Sequence, residues 1–249
     1  MTRVGWLWSA FFSNPEDRPD LLPGEVGGAE MCDLGTIRQV MKAGHEVTPL
    51  DPREWERAGE FDRVVISQLE NIPDEGLQYL STLEPLVWVH HQQTATKARV
   101  QLVRAARPFV TMSALHARAE GEAFNVKPEI CHGWIDLPPA REGDGDGTAL
   151  WAARNHPQKG LINARMWAMR QGVQLREITD QPRQVVLDAM AEVSYFVFLP
   201  NALDACPRTL IEAAAVGLDI HTNRLAGRID EGPVAEVIDA HMQRFLTWM

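Results

Sequence analysis

Short runs of consecutive apolar residues, separated by helix-length amphipathic stretches, recur along nearly the whole chain, and no other feature restricts its fold as much. Residues 3–8, 45–50, 63–67, 86–89, 108–112 and 128–131 each read as a strand. A strand is apolar on both faces only when both are covered, which is the condition inside a parallel sheet flanked by helices. The intervening segments have helical length. In the first, running from Ala29 to a stop at Gly44, Leu34, Ile37 and Met41 recur at spacings of three and four.

The alternation pauses at residues 138–147, Pro-Pro-Ala-Arg-Glu-Gly-Asp-Gly-Asp-Gly, which have the breaker-rich composition of a linker. It then restarts. Strands are expected at 148–151, 173–178, 194–199 and 218–221, and helices at 161–171, 182–192 and 207–216, with Ile162, Met166 and Met169 on one side of the first helix. An amphipathic helix closes the chain. The fold class expected is α/β, with two facing Rossmann-like domains, parallel sheets and a cleft between them. The domains are residues 1–137 and 148–233, and the terminal helix 234–249 is expected to pack back on the first domain.

Composition narrows the function classes. The 249 residues are 45% hydrophobic and 23% charged, an ordinary globular balance. No apolar run approaches the ~18 residues that cross a bilayer, and no amphipathic basic helix suggests membrane docking. The opening Met-Thr-Arg-Val-Gly-Trp-Leu-Trp lacks a following small-residue cleavage site, so it reads as a buried strand rather than a signal peptide. Cys32, Cys131 and Cys206 have no metal-type or disulfide spacing. They read as reduced thiols of a cytoplasmic protein. A net charge of −10 weighs against a nucleic-acid-binding module, although a nucleic-acid acceptor stays open.

Three constellations follow expected strands, where ligands of open α/β sheets bind. Gly27-Gly28-Ala29-Glu30 sits at the mouth of the first helix. Paired glycines let backbone approach an anion, though a plain flexible loop explains them as well, and the spacing is not that of a dinucleotide fingerprint. Arg154 and Lys159, five residues apart in Arg-Asn-His-Pro-Gln-Lys-Gly, could neutralise a diphosphate or be solvated loop cations. In the third block Asp204 precedes a helix opened by Pro207, whose first amides (Arg208, Thr209, Leu210) are expected to be free. Glu212 lies within Leu-Ile-Glu-Ala-Ala-Ala-Val, an apolar run that predicts a buried, partnered carboxylate.

Taken together, Gly-Gly-Ala-Glu, Gly-His-Glu-Val, a His ending the fourth strand, Gly-Trp-Ile-Asp, Arg…Lys-Gly and an acid-x7-Glu-Ala block resemble the family 4 retaining glycosyltransferases of GT-B fold. The resemblance runs through both halves, from about Arg3 to Gly232. It implies metal-independent transfer of a hexosyl group, with retention, from a UDP- or GDP-sugar donor, without a further cofactor. The first domain would then face the acceptor and the second hold the donor. Arg154 and Lys159 would bind the diphosphate, Asp204 the donor sugar and Glu212 the ribose hydroxyls. Arg208, Thr209 and Leu210 would offer amides, while Gly27 and Gly28 would close over the donor. His90 matches a family His near the reaction centre, and His91 is adjacent to it.

The sequence departs from the family in two ways. Asp204 stands where the family has Glu, and the chain is shorter than is usual. A non-catalytic sugar-nucleotide-binding protein and a sugar-nucleotide epimerase of the same architecture are the competing readings. The acceptor, whether a saccharide, a small molecule or a modified nucleobase, would meet residues 8–22, 70–74 and 91–96. Trp6, Trp8, Phe11 and Phe12 could stack a sugar or serve in the core.

Overall fold

The computed structural model describes residues 1–8, 28–67, 69–70, 72–229 and 232–249. These form two compact units. The first contains Ala29–Ile135, the opening strand and the C-terminal segment Ile238–Met249. Strands β1 (Arg3–Leu7), β2 (Glu46–Leu50), β3 (Arg63–Ile66), β4 (Leu86–Val89), β5 (Phe109–Thr111) and β6 (Glu129–Ile130) pair in the order β2-β1-β3-β4-β5-β6. Every pairing is parallel. All four residues of β4 are buried, as a strand covered on both faces requires.

Helices α1 (Gly28–Lys42), α2 (Asp74–Ser81), α3 (Lys97–Ala105) and α4 (Ala114–Phe124) connect these strands, with a 3-10 segment, Pro52–Glu60, between β2 and β3. Their ends follow local chemistry. Thr96 and Ser113 accept the amides of Arg99 and His116 as N-caps of α3 and α4, and Asn125 ends α4 in the left-handed region. Leu7, Ile66, Val87, Val89, Leu102 and Phe124 meet in a core cluster of this unit.

The second unit contains Asp136–Val237. Strands β7 (Ala149–Ala153), β8 (Leu175–Thr179), β9 (Tyr195–Phe198) and β10 (Asp219–Thr222) form a parallel sheet in the order β10-β9-β7-β8. Helices α5 (Leu161–Gln171), α6 (Arg183–Glu192) and α7 (Arg208–Val216) connect them. Helix α8 (Val234–Thr247) ends the fold, its residues from Ile238 onward belonging to the first unit. There Phe245 stacks on Trp6 at 5.9 Å and meets Trp88 at 5.3 Å. Two Rossmann-like parallel sheets with connecting helices are the architecture of the GT-B class.

Two local features were not given by the sequence pattern. Ile162, Met166 and Met169 face solvent, Met169 being 76% exposed, while Ala164 and Ala168 supply the buried face of α5. The small alanines let the helix approach the sheet closely, and the larger apolar side chains point away from it. The stretch 138–147 is bonded onto the second unit. Arg141 and Asp146 donate backbone amides to Val216 and Glu192, and Ser194 Oγ accepts from Gly147 and donates to the Asp144 carbonyl. These bonds hold it without apolar anchors. Among the described residues no helix is long and apolar enough to cross a membrane.

Candidate functional site

In the second sheet β7 connects onward to β8 on one side and pairs with β9 on the other, so the strand order reverses between β7 and β9. Ligands of open α/β sheets sit outside the carboxyl ends of strands at such a reversal. The loops leaving β7 and β9 carry Arg154, Lys159 and Asp204. They are knitted to each other. Asn201 donates its amide to the Gln158 carbonyl at 2.8 Å and its side chain to the Pro157 carbonyl at 3.0 Å. Asn163 of α5 donates to the Leu199 carbonyl at 2.9 Å and to Asn201 Oδ1 at 2.7 Å.

This closeness requires Gly160. Its φ is +77°, and a Cβ there would lie 1.9 Å from the Leu199 carbonyl oxygen. The preceding residue is therefore fixed, and its carbonyl accepts the Trp151 indole N–H at 3.2 Å. The ammonium of Lys159 reaches Asp204 Oδ2 at 2.6 Å. Asp204 is held in turn by its backbone, which donates to Leu225 at 2.8 Å and accepts from Gly227 at 2.7 Å. Arg154 is exposed and makes no ion pair among the described residues.

Helix α7 opens at Pro207 without a side-chain cap. The expectation of three free amides is corrected at one position: Leu210 donates to the Pro207 carbonyl at 3.0 Å. A tightened first turn of this kind satisfies the third amide locally. Arg208 and Thr209 keep theirs free among the described residues.

Glu212 is only 1% exposed. Its Oε1 accepts from Arg183 Nε at 2.7 Å and lies 3.2 Å from Arg208 Nε, while its buried Oε2 has no hydrogen-bond partner. Arg183 also donates to the carbonyl of Asp136. Sequence reading missed Arg183. The only signal was its place as first residue of α6, just beyond β8, since one Arg at a helix start makes no pattern. The carboxylate is thus held on one oxygen and open on the other, and can accept one further hydrogen bond.

In the first unit the two adjacent histidines differ. His90 is buried, its ring 4.4 Å from Trp88 and its Nε2 3.5 Å from Asp33 Oδ1, an oxygen that also accepts from the Trp6 indole at 3.2 Å. Burial raises the Asp33 carboxyl above its usual range, and the His90 and Trp6 contacts oppose that only in part. His91 is 54% exposed, and its Nε2 meets Glu70 Oε1 at 2.5 Å. Trp6 and Trp8 are core residues. Gly27, Phe11 and Phe12 lie outside the described residues, and Gly28 is the first residue of α1. No group of three or more His, Cys, Asp or Glu among the described residues is placed to hold a metal ion.

No family model matches the sequence, and no curated protein matches it. Solved structures do match the fold. An alpha-glucosyltransferase in complex with UDP and a DNA containing an HMU base is 13% identical, covering 98% of this chain and 89% of its own at a TM-score of 0.51. AviGT4, a glycosyltransferase involved in avilamycin A biosynthesis, is 14% identical, covering 99% and 88% at 0.58. HepE of Anabaena, in complex with UDP and glucose, is 11% identical, covering 98% and 90% at 0.57. At these identities the likeness is one of fold.

Proposed function

We propose that this chain is a glycosyltransferase that moves a hexosyl group from a UDP-sugar to a hydroxyl acceptor. The observation that carries this reading is that the Lys159–Asp204 pair, two free α7 amides and Glu212, with its unpartnered Oε2, all follow β7 or β9, the strands between which the order of the second sheet reverses. Several fold relatives were solved with UDP or UDP and glucose, which favours a uridine nucleotide.

The amides of Arg208 and Thr209 hold the diphosphate at the helix N-terminus. Lys159 and Arg154 neutralise the charge that grows on it as the bond to the sugar's anomeric carbon breaks, so no metal is required. Glu212 Oε2 accepts from a ribose hydroxyl, and Asp204 accepts from hydroxyls of the donor sugar. The departing phosphate takes the acceptor proton on the same face of the sugar, which gives retention. His90, the first unit's candidate by resemblance, has its ring buried against Trp88 and Asp33. A net charge of −10 favours a saccharide or small molecule over a polyanion as acceptor.

Calorimetric titration with UDP, GDP and UDP-glucose tests the donor reading, with free glucose and transferred product followed by chromatography. Saturable UDP binding in the ordinary range of ~1 μM to 1 mM is expected. Absence of binding by any nucleotide would overturn the proposal.

A further inference from the structure

Helix α5 turns its largest aliphatic side chains to solvent. Ile162 is 68%, Met166 40% and Met169 76% exposed. At about 100° of rotation per residue, positions 162, 166 and 169 fall along one line of the helix. Ala164 and Ala168, the buried residues of α5, lie on the opposite side. The helix is held in that orientation. Asn163 donates to the Leu199 carbonyl and to Asn201 Oδ1, and the Trp167 ring packs on His221 at 4.4 Å and on Tyr195 at 6.2 Å. The outward ridge is therefore a fixed feature of the second unit. Exposed apolar residues grouped in this way mark interaction surfaces.

Charge bears on what covers the ridge. Residues 147–176 hold Arg154, Lys159, Arg165, Arg170 and Arg176 and no Asp or Glu. On α5 itself Arg165 and Arg170 stand about 70° to either side of the ridge, so an arginine borders each flank. Arg165 is paired with Glu177 at 2.6 Å, while Arg170 makes no ion pair among the described residues. Every charged residue of α5 is an arginine, so two copies meeting across a two-fold axis on this helix would oppose like charges. The crest of one 11-residue helix, about 16 Å long, also falls well short of the ~800 Å² per partner that a stable protein interface buries. A bilayer needs no matching surface. Its acyl boundary takes apolar side chains, and flanking arginines lay their stems along them while the guanidinium groups meet lipid phosphates. The net charge of −10 opposes approach only through a field that salt screens, with a Debye length of ~8 Å.

We propose that the outer face of α5 docks the chain on an anionic membrane surface, with Ile162, Met166 and Met169 inserted and Arg165 and Arg170 on lipid phosphates. Turned outward, these residues make α5 a basic amphipathic helix, which spacing alone did not reveal. The docking is peripheral and does not depend on the transferase reading.

Co-sedimentation of the full chain with lipid vesicles at ~0.15 M salt tests this. Saturable binding is expected to vesicles of phosphatidylcholine with phosphatidylglycerol, and binding weaker by about tenfold or more to phosphatidylcholine alone. Ile162→Gln, Met166→Gln and Met169→Gln together should weaken binding about tenfold or more, and Arg170→Glu should do the same. These side chains are exposed, so an unchanged melting temperature is expected and shows that the variants are folded. No binding to the anionic vesicles, or equal binding by both variants and the wild type, would overturn the proposal. So would retention on polyglutamate without binding to vesicles, which would indicate an acidic protein partner. A dimer in lipid-free sedimentation that the triple variant breaks would likewise overturn it, making the ridge an interface between copies.

Discussion

Lys159 and Asp204, 45 residues apart, close an ion pair at 2.6 Å that joins the loops leaving β7 and β9. Neither backbone depends on that pair, because the Lys159 carbonyl accepts from Trp151 and Asp204 is bonded to Leu225 and Gly227. Lys159→Ala should therefore lower UDP-glucose turnover ~100-fold or more, while unfolding free energy changes by no more than about 1 kcal/mol. Steady-state kinetics beside thermal denaturation checks both. Turnover within a few-fold of wild type would remove Lys159 from the reaction.

Asp204 carries one methylene fewer than the Glu of the resembled family, and its carboxylate still reaches Lys159. If its task is to accept hydrogen bonds from the donor sugar, the carboxylate matters more than the length of its stem. Asp204→Glu should keep turnover within about tenfold, and Asp204→Asn should lose ~100-fold or more, since charged acceptors make the stronger bonds. Equal loss in both variants would show that position, not charge, governs the site.

Glu212 shares its buried Oε1 between Arg183 and Arg208. Removing the carboxylate leaves two part-buried cations facing each other without their counter-ion. Glu212→Ala should cost ~3–5 kcal/mol of stability, a fall of roughly 2–4 °C in Tm per kcal/mol for a chain of this size. Arg183→Ala should weaken UDP binding as well, because the second arginine alone does not fix the rotamer that opens Oε2. Calorimetry with UDP reads this, and unchanged affinity in Arg183→Ala would argue against the ribose contact.

Much of this site was legible because loops leaving strands are where an α/β sheet binds, and strands buried on both faces announce themselves as apolar runs. Glu212 stood out for a related reason, as a charge inside an apolar helix segment. What periodicity could not supply was direction. The spacing of Ile162, Met166 and Met169 defines a stripe on α5 but not whether it faces the sheet, and alanines took the inner face. The His116–Glu120 pair has the four-residue spacing of an exposed helix pair, yet is fully buried because α4 turns that face inward. Adjacent His90 and His91 diverge as neighbours at a strand end do, one ring to the core and one to solvent. Breaker-rich composition did not distinguish a free linker from the bonded loop at 138–147, since both lack apolar anchors.

Gly160→Ala should be poorly tolerated. A left-handed backbone costs a non-glycine residue ~1–2 kcal/mol, and the added Cβ would also press on the Leu199 carbonyl, 1.9 Å away. Relief requires the β7 and β9 loops to part, which moves Lys159 from Asp204. Both lower melting temperature and a rise in the UDP dissociation constant are expected. A destabilised variant with wild-type UDP affinity would confine Gly160 to packing.

His132 and His241 stack with ring centres 4.9 Å apart inside the first unit, and the His132 amide donates to His241 Nδ1 at 3.4 Å. Burial, reinforced by the neighbouring His241 and opposed by a backbone contact at Met112, pushes the His132 imidazole down to about 3. In the unfolded chain His132 takes a proton near its usual value of about 6.5. Between those two values the unfolded state binds a proton that the native state refuses, so this residue's contribution to stability falls as pH falls. The limiting slope is ~1.4 kcal/mol per pH unit for one proton. Urea unfolding at pH 7, 6 and 5, followed by tryptophan fluorescence, measures it. The Trp6 and Trp88 rings against Phe245 report on α8 directly. In His132→Gln the slope should be shallower, by up to about that amount. An identical slope in the variant would mean that His132 accepts its proton in the folded state and that the α8 anchor is indifferent to acid.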